Sequence, residues 1–304
     1  MITVLCGGVG AARLLVALRS VVDESELVAV VNVGDDFTHC GLVVCPDLDT
    51  VTYSLAGVVN AETGWGRSNE SWVARDGLGA LGGPVWFSLG DRDLATHLYR
   101  THRLGEGATK SVVTGEIAAR LGVAATVLPV SDDPIATVLD ADEGELAFQE
   151  YFVRRRHAVA VSGVRVTGAD GARPAPGVLE SIAAARRVVI APSNPLLSIG
   201  PLLAVPGVRA AISARREDVV AVSPLVDGAA LKGPADRLML ELGHEASCVG
   251  VADLYRDLAA TLVIDVADAH RAREVEELGV AAVITTTVMD GGAQSAELAR
   301  VVLA

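Results

Sequence analysis

Short runs of β-branched and aliphatic residues recur along the chain, most of them followed by a helix-like stretch. They read MITVLC, ELVAVVNV, TVLPVS, RVVIAP, DVVAVSPLV, TLVIDVAD and AAVITTTVM. That βαβ rhythm predicts an α/β fold: an open parallel sheet in three layers, with helices on both faces. Apolar residues make up 51% of the chain and aromatics only 4%, so the interior must be mostly Val, Leu, Ile and Ala. Strands buried on both faces have that composition. Right-handed crossovers then bring all strand C-terminal ends to one edge, where ligands bind.

The rhythm changes between residues 61 and 122. There NESWVARDGLGAL, DRDLATHLYRTHRL and TKSVVTGEIAARLG read as helices around a single short run, VWFSL. We read 61–122 as a smaller, mainly helical lobe inserted into a core formed by 1–60 and 123–304. The segment Thr167–Gly177 reads as a loop or bend without chemistry.

A formal charge of −13 argues against a nucleic acid or an anionic membrane as the main partner, while leaving room for a phosphorylated small ligand. No basic leader precedes the first strand, so no secretory signal is expected. The uncharged stretch Val188–Val208 is long enough to span a bilayer, but its four prolines fit strand and loop better. The four cysteines, Cys6, Cys40, Cys45 and Cys248, have neither zinc nor redox spacing and read as buried thiols of a cytoplasmic protein. His97 and His102, five apart, do not share a helix face.

Four acids gather in two neighbouring segments: Asp35 and Asp36 in VNVGDDFTHCGL, Asp47 and Asp49 in CPDLDTVTYSLAG. Asp47 or Asp49 can cap the helix TVTYSLAG. One cap needs one acid, however, and a divalent cation such as Mg²⁺ relieves repulsion among the rest. In CGGVGAARLL, Gly8 and Gly10 sit in a turn between strand and helix, suited to a phosphate or simply to a tight bend. Arg13 occupies the place where the dinucleotide fingerprint needs a small residue, and no acid ends the second strand. Helix entry is expected at Gly90 or Asp91, with Arg92 either solvated beside its acids or reaching a cleft. Ser193, Asn194 and Ser198 offer short polar groups suited to a base or ribose. Lys232, one of only two lysines, precedes a Pro-started helix, at the surface or holding a phosphate.

The segments GGVGAARLL, VNVGDDFTHCGLVVCPDLDTVTYSLAG, GWG, LGDRDLATHLYRT, APSNPLLSIGPLLAVPGVRAAI, VSPLVDGAALKGPADRLM and VADLY together resemble the 2-phospho-L-lactate transferase family nearly end to end. The resemblance implies a Rossmann-like sheet with a smaller helical part, usually as a homodimer. It implies Mg²⁺-dependent transfer of a phospholactate or phosphoenolpyruvate group from a guanosine-diphospho donor to the deazariboflavin Fo. GMP is released, in biosynthesis of coenzyme F(420). By position, Asp49 and Arg92 would contact Fo. The glycine turn and the Ser-Asn-Pro segment would contact the guanosine diphosphate part, where Ala11 replaces a frequent glycine. The residues themselves suggest a metal on Asp49 or on the Asp35/Asp36 pair, with Lys232 taking remaining phosphate charge.

Two rivals stand beside this reading. One is a non-catalytic nucleotide- or nucleotide-sugar-binding regulator of the gluconeogenesis-factor group, which has less need of an acidic platform beside an Arg. The other, an NAD-dependent dehydrogenase, is weakened by Arg13 and the missing ribose acid.

Overall fold

The computed structural model describes all 304 residues. Fourteen strands form in chain order. They are β1 (Ile2–Cys6), β2 (Leu27–Val31), β3 (Phe37–His39), β4 (Leu42–Val44), β5 (Thr126–Pro129), β6 (Ala136–Ala141) and β7 (Gly144–Ala147), then β8 (Val161–Thr167), β9 (Arg187–Ile190), β10 (Val219–Val222), β11 (Leu225–Val226), β12 (Ala229–Ala230), β13 (Thr261–Ile264) and β14 (Ala281–Ile284). The main sheet has seven strands in the order β14-β13-β10-β9-β1-β2-β5, parallel at every pairing. These are the seven apolar runs of the sequence. Every residue of β1, β2 and β10 is buried, as strands covered on both faces must be.

The order has one reversal. From β1 the chain adds β2 and β5 on one side, and later β9, β10, β13 and β14 on the other. The crevice between β1 and β9 is therefore the topological switch point, where loops diverge and leave space for a ligand.

Five helices follow in the first part of the chain: α1 (Gly8–Leu18), α2 (Pro46–Leu55), α3 (Val73–Ala80), α4 (Asp91–Gly105) and α5 (Lys110–Arg120). Helix α1 starts inside the expected glycine turn: Gly7 takes the cap position, and Gly8 and Gly10 both enter the helix. Helix α2 starts at Pro46, so Asp47 and Asp49 lie within its first turn and neither caps it. The expected acidic cap is replaced by a proline at the first position, whose missing N–H needs no partner.

The helices expected between 61 and 122 are present, while VWFSL forms no strand. Helix α5 packs on β5, and its Ala118 joins the main apolar core. The second, smaller core lies elsewhere. It comprises Leu139, Leu146, Tyr151, Val161, Leu197 and Leu238, beneath an antiparallel sheet β7-β6-β8 that the sequence reading did not contain. A short hairpin, β3–β4, occupies part of the presumed acidic loop. Three cysteines are buried as expected, but Cys40 at the tip of that hairpin is exposed. Val188–Val208 is strand, loop and short helical turns, and no helix is long and apolar enough to cross a membrane.

Candidate functional site

A cavity of about 580 Å³ opens at the switch point. Two loops make its floor. Gly7 after β1 donates its N–H to Ser193 Oγ at 3.2 Å, and Ser193 Oγ donates back to the Gly7 carbonyl at 2.7 Å. A Cβ at Gly10 would stand 2.2 Å from the Pro192 carbonyl oxygen, and one at Gly7 would stand 2.5 Å from Ser198 Cβ. Glycines are required here because Gly10 touches the Pro192 backbone and Gly7 touches the Ser198 side chain. Asn194 is also committed locally, since its side-chain oxygen accepts from the Leu196 and Leu197 amides at 2.9 and 3.1 Å. Gly8, Gly10, Ser193, Asn194, Ser198 and Lys232, the residues expected to meet a nucleotide or phosphate, all line the cavity. The Gly8 amide, however, is already taken by Asp47 Oδ1 at 2.7 Å. Lys232 Nζ donates to the Thr63 carbonyl at 2.8 Å.

The four acids part into three settings. Asp36 leaves the site: Lys110 Nζ holds its carboxylate at 2.5 Å, and it faces a different cavity. The Asp35/Asp36 pair expected to hold a metal is thus divided between two cavities, with a protein cation on one of its members. Asp35 and Asp47 share Asn32, whose Nδ2 donates to Asp35 Oδ1 at 2.7 Å and to Asp47 Oδ2 at 3.0 Å. Neither has a cationic side chain within ion-pair distance. Burial, then the charges of Asp47 and Asp36, pushes Asp35 well above the ordinary carboxylate range. Burial likewise raises Asp47 to about 6, against the restraint of its bonds from Asn32 and Gly8.

Asp49 is paired with a residue that sequence reasoning missed. Arg100 from α4 grips both its oxygens, and the two side chains are 2% and 8% exposed. The bidentate fork matches a carboxylate's geometry. Burial works against Arg100's charge, but Asp49 holds it above the ordinary arginine value. Arg100 also donates to His97 Nδ1 at 3.0 Å. A guanidinium only donates, so Nδ1 accepts and the ring proton sits on Nε2, which lies 3.3 Å from Asp93 Oδ1. Asp93 in turn accepts from Tyr53 Oη at 2.8 Å. Burial raises Asp93, yet bonds from His97 and Tyr53 outweigh it and leave the carboxyl below its ordinary value. Asp49 and Tyr53 lie one turn apart on α2, and Asp93, His97 and Arg100 share one face of α4. The DLATH spacing, Asp93 to His97, was the available signal; the pairing with Asp49 lies 51 residues away and had none.

Arg92 is not brought into this network. Its side chain is exposed and absent from the cavity wall, and its backbone N–H is spent on Glu70 Oε2 at 2.7 Å. Its place at the second position of α4 turns it away from the face that carries Asp93, His97 and Arg100.

One cluster in the cavity has the spacing of a metal site. Ligand atoms of Asp49, Asp93 and His97 converge within 4.8 Å. Both Asp49 oxygens already bond a buried guanidinium, however, and a hard cation prefers oxygen to imidazole. Asp35 and Asp47 suit Mg²⁺ better: two raised, cation-free carboxylates, with Asp47 on the cavity wall beside Asp35.

Comparison with known proteins decides the family. The 2-phospho-L-lactate transferase CofD family matches residues 2–296. The chain belongs to this family. It is 42% identical to the phosphoenolpyruvate transferase of Streptomyces griseus over 98% of its own length and 96% of that protein. It is 43% identical to the enzyme of the same name from Kitasatospora aureofaciens, covering 100% of the chain and 97% of the relative. The 2-phospho-L-lactate transferase of Methanothermobacter thermautotrophicus is 40% identical, with 100% and 97% covered. Among solved structures, a UPF0052-family protein from Bacillus halodurans superposes with a TM-score of 0.64 at 19% identity, covering 100% of this chain and 98% of its own. That likeness bears on the fold alone. Membership in the CofD family makes the chain a transferase.

Proposed function

We propose that this transferase moves a phospholactate or phosphoenolpyruvate group from a guanosine-diphospho donor to the ribityl hydroxyl of Fo, releasing GMP, in coenzyme F(420) biosynthesis. The observation that carries this reading is convergence: Asp49 of PDLDT, Asp93 and His97 of GDRDLATH, Ser193, Asn194 and Ser198, and Lys232 all line one cavity. These segments are the ones in which the chain resembles the family.

Phosphoryl transfer asks a protein for alignment and charge compensation more than for a nucleophile. Asp49, fixed by a buried bidentate Arg, is a rigid acceptor suited to orienting the attacking hydroxyl. Asp93, held low by Tyr53 and His97, keeps the neighbouring network in one arrangement. Lys232 stands on the same wall, where it meets diphosphate charge. Asp35 and Asp47 would hold Mg²⁺, which when bound neutralises diphosphate charge and polarises the attacked phosphorus. The deazaflavin ring has an aromatic neighbourhood to enter: Trp86 and Phe87, 5.8 Å apart, line the same cavity.

The test is incubation with Fo, Mg²⁺ and each guanylylated acid, followed by mass analysis. The expected result is an Fo-phosphoester of one acid together with equimolar GMP. Binding of the donor without any product would favour a regulatory binder instead.

A further inference from the structure

Around Asp49, the groups able to take a proton are nearly all committed. Asp49 itself meets the Arg100 guanidinium through both oxygens. Taking up a proton would leave that guanidinium buried without a countercharge, so Asp49 can hold a hydroxyl but is badly placed to deprotonate it. His97 has no acceptor left: Arg100 fills Nδ1, and Nε2 carries the ring proton toward Asp93. Tyr53 spends its own proton on Asp93. Asp35 and Asp47 share the Asn32 amide, and Asp47 also holds the Gly8 N–H.

Asp93 differs. Tyr53 and His97 both address Oδ1, at 2.8 and 3.3 Å. Oδ2 accepts from no protein group, is not sealed in the interior, and belongs to a side chain that is 13% exposed on the cavity wall. The Asp93 backbone N–H donates to Glu70 Oε1 at 2.8 Å, which fixes the first turn of α4 that carries it. A proton arriving on Oδ2 leaves all these bonds intact, because Oδ1 remains an acceptor in the neutral acid. Asp93 also stands close to Asp49: a carboxylate oxygen of each lies within 4.8 Å of the other. That spacing suits a polyol, whose neighbouring hydroxyls can meet one acid each at O···O distances of about 2.7 Å.

We propose that Asp93 is the general base of the transfer, while Asp49 aligns the ribityl chain beside it. The assignment rests on the transfer reaction proposed above. Asp93 Oδ2 accepts the proton of the terminal ribityl hydroxyl as that oxygen bonds to the phosphorus bearing the three-carbon acid. The bond from this phosphorus to the bridging oxygen breaks, and its electron pair leaves with GMP. Asp93 then gives the proton to solvent through the cavity. Tyr53 and His97 are positioning residues: by holding Oδ1 they leave Oδ2 to the substrate.

The experiment is steady-state kinetics of the full chain with Fo, Mg²⁺ and whichever guanylylated acid the wild type turns over, alongside melting curves. Asp93→Asn puts an amide NH₂ where Oδ2 stood and keeps an oxygen for Tyr53 and His97. It should lower kcat about 100-fold or more, the scale of a lost general base, with KM for Fo and the melting temperature close to wild type. Asp93→Ala should regain part of its kcat from added formate, which supplies a carboxylate in the vacated space; a residue that serves structure alone gains nothing from it. Asp93→Asn turning over within a few fold of wild type, or Asp93→Ala indifferent to formate, would overturn the base and leave the transfer reaction standing. A wild-type chain that makes no product overturns both.

Discussion

Asp49 is held by a buried guanidinium, and that pairing decides what its replacement reports. Asp49→Asn leaves Arg100 buried without its countercharge, which costs roughly 3–5 kcal/mol of stability in addition to any loss of turnover. A melting curve on the single variant therefore cannot separate structure from chemistry. The double variant Asp49→Asn, Arg100→Met removes the orphaned charge. We expect it to recover most of the lost stability and none of the activity; recovered activity would mean that Asp49 serves folding alone. Asp47 offers a second test. Its carboxyl titrates near 6 in the fold against 3.8 in the unfolded chain, so the native state binds the proton more tightly. Stability then falls as pH rises through this window, by roughly 3 kcal/mol on the scale of that shift. Without divalent cations, Asp47→Asn should gain on the wild type as pH rises from about 4 to 7, a gain shared with Asp35 through Asn32. Denaturant titrations at each pH measure it, and Mg²⁺ should flatten the difference. What the sequence revealed at this scale was the acids themselves. What it concealed was their partners, because Lys110 and Arg100 reach Asp36 and Asp49 only after distant helices pack.

At the scale of elements, glycines near the site do two different jobs. Gly10 meets the Pro192 backbone, which cannot yield as a flexible side chain would. Gly10→Ala should push the two floor loops apart and cost about 1–3 kcal/mol. Gly115, exposed within α5, meets nothing within 4 Å, and Gly115→Ala should stabilise by about 0.5–1 kcal/mol. Chemical denaturation of the pair measures both signs; equal effects would refute the packing account of Gly10. The entry of α4 shows how such local chemistry reaches the site. Glu70 accepts from the Arg92 and Asp93 amides at 2.7 and 2.8 Å, while Asp91 accepts from the Val73 and Ala74 amides of α3 at 3.1 and 3.0 Å. Each helix start is thus capped by an acid from beside the other. A reading of local sequence finds the helix at Asp91 but not this exchange, because its partners are about 20 residues apart. The start of α2 was misjudged for a related reason: two acids advertised a cap, and Pro46 at the first helical position outranked them.

Across the whole molecule, the seven parallel strands were legible because each is a dense apolar run buried on both faces. The sheet β6-β7-β8 was not, because its strands are half-buried and mixed in polarity, as in ATVLDA and VSGVRVT. The same contrast in burial predicts how the fold opens. Strands β1, β2 and β10 are wholly buried, whereas α3 has no buried residue, contains Gly77 and Gly79, and is tethered chiefly through Asp91. Its neighbour α4 buries Thr96, His97 and Arg100. Local stability follows buried contacts, so amides of α3 should exchange with solvent deuterium far faster than those of α4, and the central strands slowest of all. Hydrogen-exchange mass spectrometry at two protein concentrations reads this ranking directly. Val73 and Leu81, at the two ends of α3, are 76% and 89% exposed. Slow exchange at α3 matching that of α4, and growing with concentration, would mean that a second copy covers this helix. Fast exchange at both concentrations would keep any dimer surface away from α3 and leave the helix free to move at the mouth of the lobe.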